Sequence, residues 1–403
     1  MYDLHLTPEQ LEFRDTVRDF VESEVKPAAL HPKRLEPFEK PLLANLVDKA
    51  SQMGLRTLCL SEEAGGAGAD TLTACIVMEE LGAGDVDVAA VLAHTCTLGH
   101  ALFDRLMTPE QRSRFLPDFV KDDGYHLAFA GSDPAVGLGW SYHRPLAESG
   151  ALPVAAKQGA DWVINGSLPF VANATVAKLL AVQAQAGTSG HITLLVPRAS
   201  SGLTVREPLK AVGEAIRWHH GAGAAVAFKD CRVPAERALR ETGKGAGLAH
   251  GALQLAAVNL GLGRAAFDAA VDYSKMRRQG GRNIIEHQAI GTKLADGAIK
   301  LELARNMIWK AAWTLDHPDA VADRSVPDLP LPVIARVYTA QAVNEVALLA
   351  AECFGAMGVM RDMPLQKYVH DSMVFLHSEE TDGAAKLAVA EAVAGYQRPA
   401  AAA

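Results

Sequence analysis

The feature that most constrains this chain is a set of long segments with helical periodicity in its C-terminal part. They run from about Leu248 to Arg277, from about Glu286 to Leu315 and from about Leu331 to Phe354. Shorter helices are predicted from Pro364 and from about Thr381. Apolar residues of the second long segment fall near one face, as a helical bundle requires: Ile290, Leu294, Ala298, Leu301, Ile308 and Ala312. These segments together predict an antiparallel four-helix bundle.

The first third of the chain also reads as helices. Thr7-Pro8-Glu9-Gln10 and Thr108-Pro109-Glu110-Gln111 are capping boxes with proline at the first helical position. Further helices are predicted from Asp70 to about Leu81 and from Ala89 to about Leu106. The N-terminal region is therefore expected to be a helical domain.

Between about Tyr125 and Pro234 the pattern changes to short β-branched and apolar runs bounded by turns. Trp162 to Ile164 followed by Asn165-Gly166 indicates a hairpin. Other predicted strands are Leu179 to Ala186, His191 to Val196, Leu203 to Val205 and Ala225 to Phe228. The order helices, strands, helices predicts a mostly α, α+β fold with domains at residues 1–124, 125–236 and 243–397, the middle one a small β-barrel.

Composition narrows the classes of function. A length of 403 residues exceeds one ordinary core, and the net charge of −8 argues against a basic nucleic-acid-binding face. No basic and apolar leader opens the chain, and no apolar run approaches a membrane span. The cysteines, none in a C-x-x-C pair, favour a reducing compartment without disulfides or a bound metal: Cys59, Cys75, Cys96, Cys231 and Cys353. We expect a cytoplasmic protein.

Single motifs leave the chemistry open. Trp218-His219-His220 has no third ligand at metal-binding spacing, so packed or solvated histidines are favoured. The segment from Arg277 to Arg282 is compatible with a phosphate site or a solvated turn. The pair Glu379-Glu380 stands near a helix start, where carboxylates commonly complement the helix dipole.

Several motifs in order resemble the acyl-CoA dehydrogenase flavoprotein family. One is Phe354-Gly355-Ala356-Met357-Gly358, followed without gaps by His370-Asp371 and by Ser378-Glu379-Glu380-Thr381. Two more are similar to flavin-contacting segments of the family: Ser132 to Gly137, and Phe170-Val171-Ala172-Asn173. The segment Tyr273 to Gly281 with His287-Gln288-Ala289-Ile290 is similar to its FAD-diphosphate segment. The resemblance covers nearly the whole chain.

The resemblance implies both a reaction and its residues. A carboxylate removes the α-proton of an acyl thioester while a hydride leaves the β-carbon for flavin N5, and Glu379 stands at the position of that base. A related subgroup carries its base on the first long bundle helix, but the matching positions near His250 and Gly251 hold no acid. The implied FAD contacts are Phe129, Ala130, Ser132, Phe170, Ala172, Arg277, His287, Gln288, Gly355 and Thr381.

Departures from the family pattern affect the flavin and the acyl group. Ala172 replaces a hydroxyl residue beside flavin N5, and Glu380 stands where glycine is common. Ala252 replaces an arginine of straight-chain members, which favours a branched, cyclic or aromatic acyl group.

The resemblance also implies an acyl-CoA substrate, an electron-transfer flavoprotein as acceptor, and a homotetramer or α2β2 heterotetramer. Two alternatives stay open at this point. One is a flavin-dependent oxidase or monooxygenase on the same fold, and the other is a non-catalytic subunit of a mixed tetramer.

Overall fold

The structure is a computed structural model that describes residues 5–34, 41–131, 152–187, 190–206, 219–240, 251–360, 362–377 and 383–395. Its N-terminal part is helical, as predicted. Both capping boxes are confirmed: the Gln10 amide N–H donates to Thr7 Oγ1 at 3.1 Å, and the Thr108 backbone N–H donates to Gln111 Oε1 at 3.0 Å. The helices are α1 (Pro8–Phe20), α2 (Lys26–Ala29), α3 (Ala44–Gln52), α4 (Thr71–Gly84), α5 (Val86–Gly99) and α6 (Pro109–Lys121), with π-helical turns at Val21–Val25 and His100–Leu106.

The middle strands form one seven-stranded sheet with both parallel and antiparallel pairs. Its order is β1-β4-β2-β3-β7-β6, with β5 paired to β4. The strands are β1 (His126–Ala130), β2 (Val154–Gln158), β3 (Asp161–Val171), β4 (Ala177–Ala186), β5 (Gly190–Pro197), β6 (Leu203–Arg206) and β7 (Ala224–Pro234). Their apolar side chains form a core of their own that includes Ile164, Val182 and Val226.

The predicted hairpin at Asn165-Gly166 is wrong. β3 continues through it, and Gly166 at φ 128° lies at a bulge in the pairing with β7. Asn165 Oδ1 accepts the backbone N–H of Asp230 at 2.8 Å, so this side chain joins two strands. The tight turn comes earlier in the chain. It joins Gln158, at the end of β2, to Asp161, at the start of β3, and these two residues pair with each other. Tertiary pairing with β7 therefore overrides the local turn preference.

The C-terminal part consists of long helices, as predicted, and they pack on α4. Gly82 on α4 and Gly261 on α7 bring the two backbones together, since a Cβ at Gly82 would lie 2.2 Å from the carbonyl oxygen of Val258. The elements are α7 (Gly251–Met276), β8 (Arg278–Gln279), β9 (Arg282–Asn283), α8 (Gln288–Asp316), α9 (Asp319–Ala322), α10 (Leu331–Phe354), α11 (Leu365–Leu376) and α12 (Gly383–Ala394). The three domain boundaries themselves stay a prediction.

A buried ion cluster joins the two helical parts. The Arg264 guanidinium donates to both carboxylate oxygens of Glu80, at 2.8 and 2.5 Å, and Arg18 donates to the same carboxylate at 2.7 Å. Burial by itself would raise the pKa of the Glu80 carboxyl, but the two arginines reverse this and lower it. Glu79 binds Arg305 of α8 in the same way, at 2.7 Å.

Two helical segments, Val86–Leu106 and Leu331–Val359, are long and apolar enough to cross a bilayer by length and composition alone. In the first, 89% of the apolar window is buried inside the fold, as in a core helix. In the second, 50% of the window is buried.

Candidate functional site

An aromatic side chain lies at the end of β3. The Phe170 ring is half-buried, and its centroid is 4.8 Å from that of the His219 ring at a tilt of 45°. A Cβ at residue 223 would lie 2.1 Å from a carbon of the Phe170 ring. Pairing of Val171 with Ala224 brings these segments together. Only glycine at 223 therefore permits this position of the ring.

The turn after β3 is fixed by one buried asparagine. Asn173 adopts φ 60°, and its Nδ2 donates to the Val91 carbonyl at 2.9 Å, to Thr95 Oγ1 at 3.2 Å and to the Leu127 carbonyl at 3.3 Å. Asparagine tolerates the left-handed conformation that this turn requires. The motif indicated a flavin-contacting strand, but it did not predict that Asn173 would tie the strand end to α5 and β1. Ala172 stands beside it with only a methyl group.

The two predicted residues on β1 lie on different sides of the sheet. Phe129 is half-buried against the helical side, and its ring would contact a Cβ at Gly131. Ala130 is fully buried in the sheet core opposite Val182, so it offers a ligand its backbone only. With Phe170 and Ala172 they form the first set of predicted site residues, the strand-end group.

The remaining predicted contacts in the described residues lie at one end of the bundle. Arg277 follows α7 and is exposed, and its guanidinium makes no hydrogen bond or ion pair with the described residues. His287 Nε2 lies 3.0 Å from the Gln279 carbonyl oxygen, and Gln288 begins α8. Gly355 ends α10 at φ 56°, one residue after Phe354. These four residues, Arg277, His287, Gln288 and Gly355, are the bundle-end group.

Tyr273 joins the end of α7 to the end of α10. Its ring stacks on Phe354 at 4.0 Å with an angle of 13° between the planes, so the end of α7 meets the end of α10. Glu379, Ser132 and Thr381 lie outside the described residues, with Glu379 and Thr381 in the segment between α11 and α12.

A buried group of polar and charged residues joins the three parts of the chain. His220 and Asp371 were noted as parts of sequence motifs, but their association with the other members was not predicted. Lys367 Nζ on α11 lies 2.7 Å from Asp371 Oδ2 and 3.9 Å from Asp85 Oδ2. Asp87 accepts the Gly221 backbone N–H at 3.0 Å, and His220 Nε2 lies 3.0 Å from the Asp371 carbonyl oxygen. We call Asp85, Asp87, His220, Lys367 and Asp371 the polar junction.

The electrostatics of the polar junction stabilise its ion pair. Burial disfavours the charged form of Lys367, but Asp371 and Asp85 outweigh this and hold the pKa of its ammonium above the usual value. Asp85 also caps α5 by accepting the Asp87 and Val88 backbone N–H groups at 3.0 and 3.1 Å. No local pattern could have revealed this group, because its members come from distant parts of the chain.

Because of the buried His126, we expect the folded protein to lose stability in mild acid. This residue is buried on β1 with Nδ1 3.1 Å from Thr95 Oγ1, and burial with nearby Arg56 and Lys178 lowers the pKa of its imidazole to about 4. Below pH 6.5 the unfolded histidine binds a proton that the folded one rejects, so stability falls as the pH falls to 4. The free energy of unfolding should be lower at pH 4.5 than at pH 7, and we expect this difference to be roughly 2 kcal/mol smaller in His126→Gln. Urea denaturation at the two pH values measures it. An equal loss of stability between pH 7 and pH 4.5 in the wild type and in His126→Gln would contradict the role of His126.

The comparisons with known proteins cover almost the whole chain. Residues 7–123 match the acyl-CoA dehydrogenase N-terminal domain, and residues 244–394 match the acyl-CoA dehydrogenase C-terminal domain. A curated relative, the mitochondrial short-chain specific acyl-CoA dehydrogenase of Sus scrofa, is 30% identical over 94% of this chain and 88% of its own length.

Solved structures agree with this. Butyryl-CoA dehydrogenase from Megasphaera elsdenii is similar with a TM-score of 0.81 at 26% identity, covering 98% of this chain and 100% of the other. A structure described as the electron transferring flavoprotein of Acidaminococcus fermentans has a TM-score of 0.80 at 26% identity, covering 97% and 99%. The chain therefore belongs to the acyl-CoA dehydrogenase family and is an oxidoreductase that uses FAD.

Proposed function

We propose that this protein catalyses the α,β-dehydrogenation of an acyl-CoA thioester with Glu379 as the base, and that the acyl group is branched, cyclic or aromatic. The observation that carries the proposal is the position of the Phe170 ring at the end of β3. The ring lies 4.8 Å from the His219 ring, in space that a side chain at residue 223 would fill. A half-buried aromatic ring in such a cradle provides a surface for stacking on a planar ring system.

The residues present fit FAD. Phe170 would face the isoalloxazine, and the exposed Arg277 guanidinium has no partner among the described residues that would compete with a diphosphate. Ala172 offers no hydroxyl to flavin N5, so only backbone groups or water would hydrogen-bond that atom. When bound, FAD supplies the acceptor for the hydride of the β-carbon.

The protein's own residues perform the proton transfer and the positioning. The Glu379 carboxylate takes the α-proton of the thioester, so it must face the α-carbon. Glu379 comes after α11 in the sequence, separated from it by His377 and Ser378, and the polar junction holds α11 against the start of α5 and against the segment before β7. A firmly held α11 limits the positions that the base can take.

Two observations support an oligomer with shared sites. By the resemblance to the family, which builds its site across a dimer, the exposed Arg277 would serve the FAD of a neighbouring subunit. The outer faces of α8 and α10 also carry exposed apolar side chains, Ile299 at 57%, Leu303 at 52% and Leu348 at 45%. Covering such residues on a neighbour is favourable. We infer a homotetramer or an α2β2 heterotetramer.

The electron acceptor in this proposal is an electron-transfer flavoprotein, and the compartment is the cytoplasm. The reducing conditions there suit the five free cysteines of the described residues, four of which are buried.

An anaerobic screen of acyl-CoA thioesters tests the function. We expect the purified protein to be yellow, and its flavin absorbance to bleach with a branched, cyclic or aromatic acyl-CoA faster than with a straight-chain one. Rapid oxygen consumption with a substrate that is not a thioester would favour the oxidase or monooxygenase instead. A colourless chain that takes up no added FAD would identify a non-catalytic subunit and overturn the proposal.

A further inference from the structure

A histidine on α5 faces the meeting point of the helical part and the sheet. Ala90 and Val91 of α5 adjoin Gly221, because a Cβ at residue 221 would lie 3.3 Å from Ala90 Cβ and 3.6 Å from Val91 Cγ2. His94 is one helical turn further along the same face. The next residue, Thr95, accepts a hydrogen bond from Asn173, beside Ala172. His94 therefore lies close to the strand-end group.

The surroundings of His94 are almost closed. Its neighbours Val91, Ala93, Thr95 and Leu98 are between 0% and 5% exposed, yet His94 itself keeps part of its surface accessible. His94 is the one residue of α5 that is not buried, so its ring is within reach of solvent or of a ligand. Burial lowers the pKa of this imidazole to about 4, so the ring is neutral at pH 7.

His94 differs from the other histidines of this region in having no partner among the described residues, which offer it no hydrogen bond, ion pair or ring contact. By contrast, His100 Nδ1 lies 2.9 Å from Asp104 Oδ2, His126 binds Thr95, and His220 binds the Asp371 carbonyl. Because the ring is partly accessible, water can hydrogen-bond it, and a ligand that displaces this water without replacing the hydrogen bond would leave a polar group unpaired.

A suitable ligand group would avoid this loss by taking over the hydrogen bond. A neutral imidazole presents one N–H donor and one nitrogen acceptor, which match a hydroxyl or an amide. It carries no positive charge to attract a carboxylate. Sites that hydrogen-bond a substrate group discriminate strongly against analogues that lack it, because their own polar atoms are then left unpaired.

We propose that His94 is a specificity-determining residue that selects an acyl group bearing a neutral hydrogen-bonding substituent, such as a hydroxyl, away from the thioester. The inference rests on the proposed function, since it deepens the acyl preference of the same site. His94 takes no part in the proton or hydride transfer.

Two matched ligand pairs test the proposal. They are the CoA thioethers that correspond to hexanoyl-CoA and 6-hydroxyhexanoyl-CoA, and to 3-phenylpropionyl-CoA and 3-(4-hydroxyphenyl)propionyl-CoA. Replacing the thioester carbonyl with a methylene removes the acidic α-proton, so these analogues bind without reacting. Calorimetry on the FAD-loaded protein should give about tenfold tighter binding of the hydroxylated member in at least one pair, which is the effect of one well-placed hydrogen bond.

Variants assign the preference to His94. His94→Leu should abolish the preference for the hydroxylated analogue and leave the unsubstituted one bound equally or more tightly. His94→Gln keeps a neutral donor and acceptor and should retain part of the preference. His100→Leu, the control on the same helical run, should leave the ratio unchanged. If His94→Leu does not give folded holoprotein, His94→Phe replaces it, because phenylalanine keeps a ring without hydrogen-bonding atoms.

The outcomes separate this inference from the proposed function. If acyl-CoA thioesters bleach the flavin but the ratio of dissociation constants is the same in the wild type, His94→Leu and His94→Phe, the function stands and the role of His94 is overturned. If no thioester bleaches the flavin and no analogue binds, both proposals fail. A preference for the unsubstituted analogue in both pairs would also overturn the role of His94.

Discussion

Glu379→Gln should leave FAD and acyl-CoA binding intact and reduce the rate of flavin bleaching by a factor of at least ~10³. The amide keeps the size of the side chain but cannot accept the α-proton, and removal of a general base typically costs this much. Anaerobic stopped-flow measurement of the flavin absorbance gives the rate, and a titration with the substrate's thioether analogue shows whether binding survives.

The neighbouring carboxylate is the matched control. Glu380 stands where the family commonly has glycine, so Glu380→Gln should change the pH optimum or the substrate preference and leave most of the rate. If Glu380→Gln abolishes bleaching and Glu379→Gln does not, the base is assigned one residue too early. If neither substitution slows bleaching, the dehydrogenation mechanism is wrong for this protein.

Lys367→Met should destabilise the fold by about 3 to 5 kcal/mol, because it leaves Asp371 and Asp85 buried without their cation. The side chains of Lys367, Asp371 and Asp85 are 2%, 1% and 0% exposed, so water cannot replace the lost partner. Urea denaturation monitored by circular dichroism measures the change.

Two further variants separate the charge from the packing. Lys157→Met on β2 removes an exposed ammonium and should change stability by less than about 0.5 kcal/mol. Lys367→Met combined with Asp371→Asn removes one of the two carboxylate charges that faced the lysine and should recover part of the loss. A double variant as unstable as Lys367→Met would show that the lysine stabilises α11 by packing and not by charge.

The polar junction also connects stability with catalysis. α11 is held by Lys367 and by the contact of His220 with the Asp371 carbonyl, and the chain continues from α11 to Glu379. In Lys367→Met protein that is still folded at low temperature, we therefore expect slower flavin bleaching as well as lower stability.

Local signals predicted the helices well because they act over a few residues. The capping boxes at Thr7 and Thr108 satisfy backbone N–H groups within one turn, and this needs no distant partner. The segment from about Leu331 to Phe354 was predicted with the bounds that α10 has. The acyl-CoA dehydrogenase family could also be inferred, since the order and spacing of its motifs are properties of the sequence.

The strands were predicted less accurately where pairing competes with local preference. Asn165-Gly166 has the residues of a two-residue turn, but β7 lies beside this segment and pairs with Ile164 and Gly166 on the two sides of a bulge. A turn motif involves only a few neighbouring residues, and β7 is far from Asn165-Gly166 in the sequence. The motif therefore could not predict the pairing with β7.

The helical segments, the family and the prediction of Glu379 as the base follow from the sequence, because periodicity, capping and motif spacing are local or ordered along the chain. The polar junction, the cradle of Phe170 and the surroundings of His94 depend on the tertiary structure. Asp85 meets Lys367, and Phe170 meets Gly223, through contacts between residues far apart in sequence. The absence of a partner for His94 among the described residues is likewise a property of everything packed around it, which no segment of sequence contains.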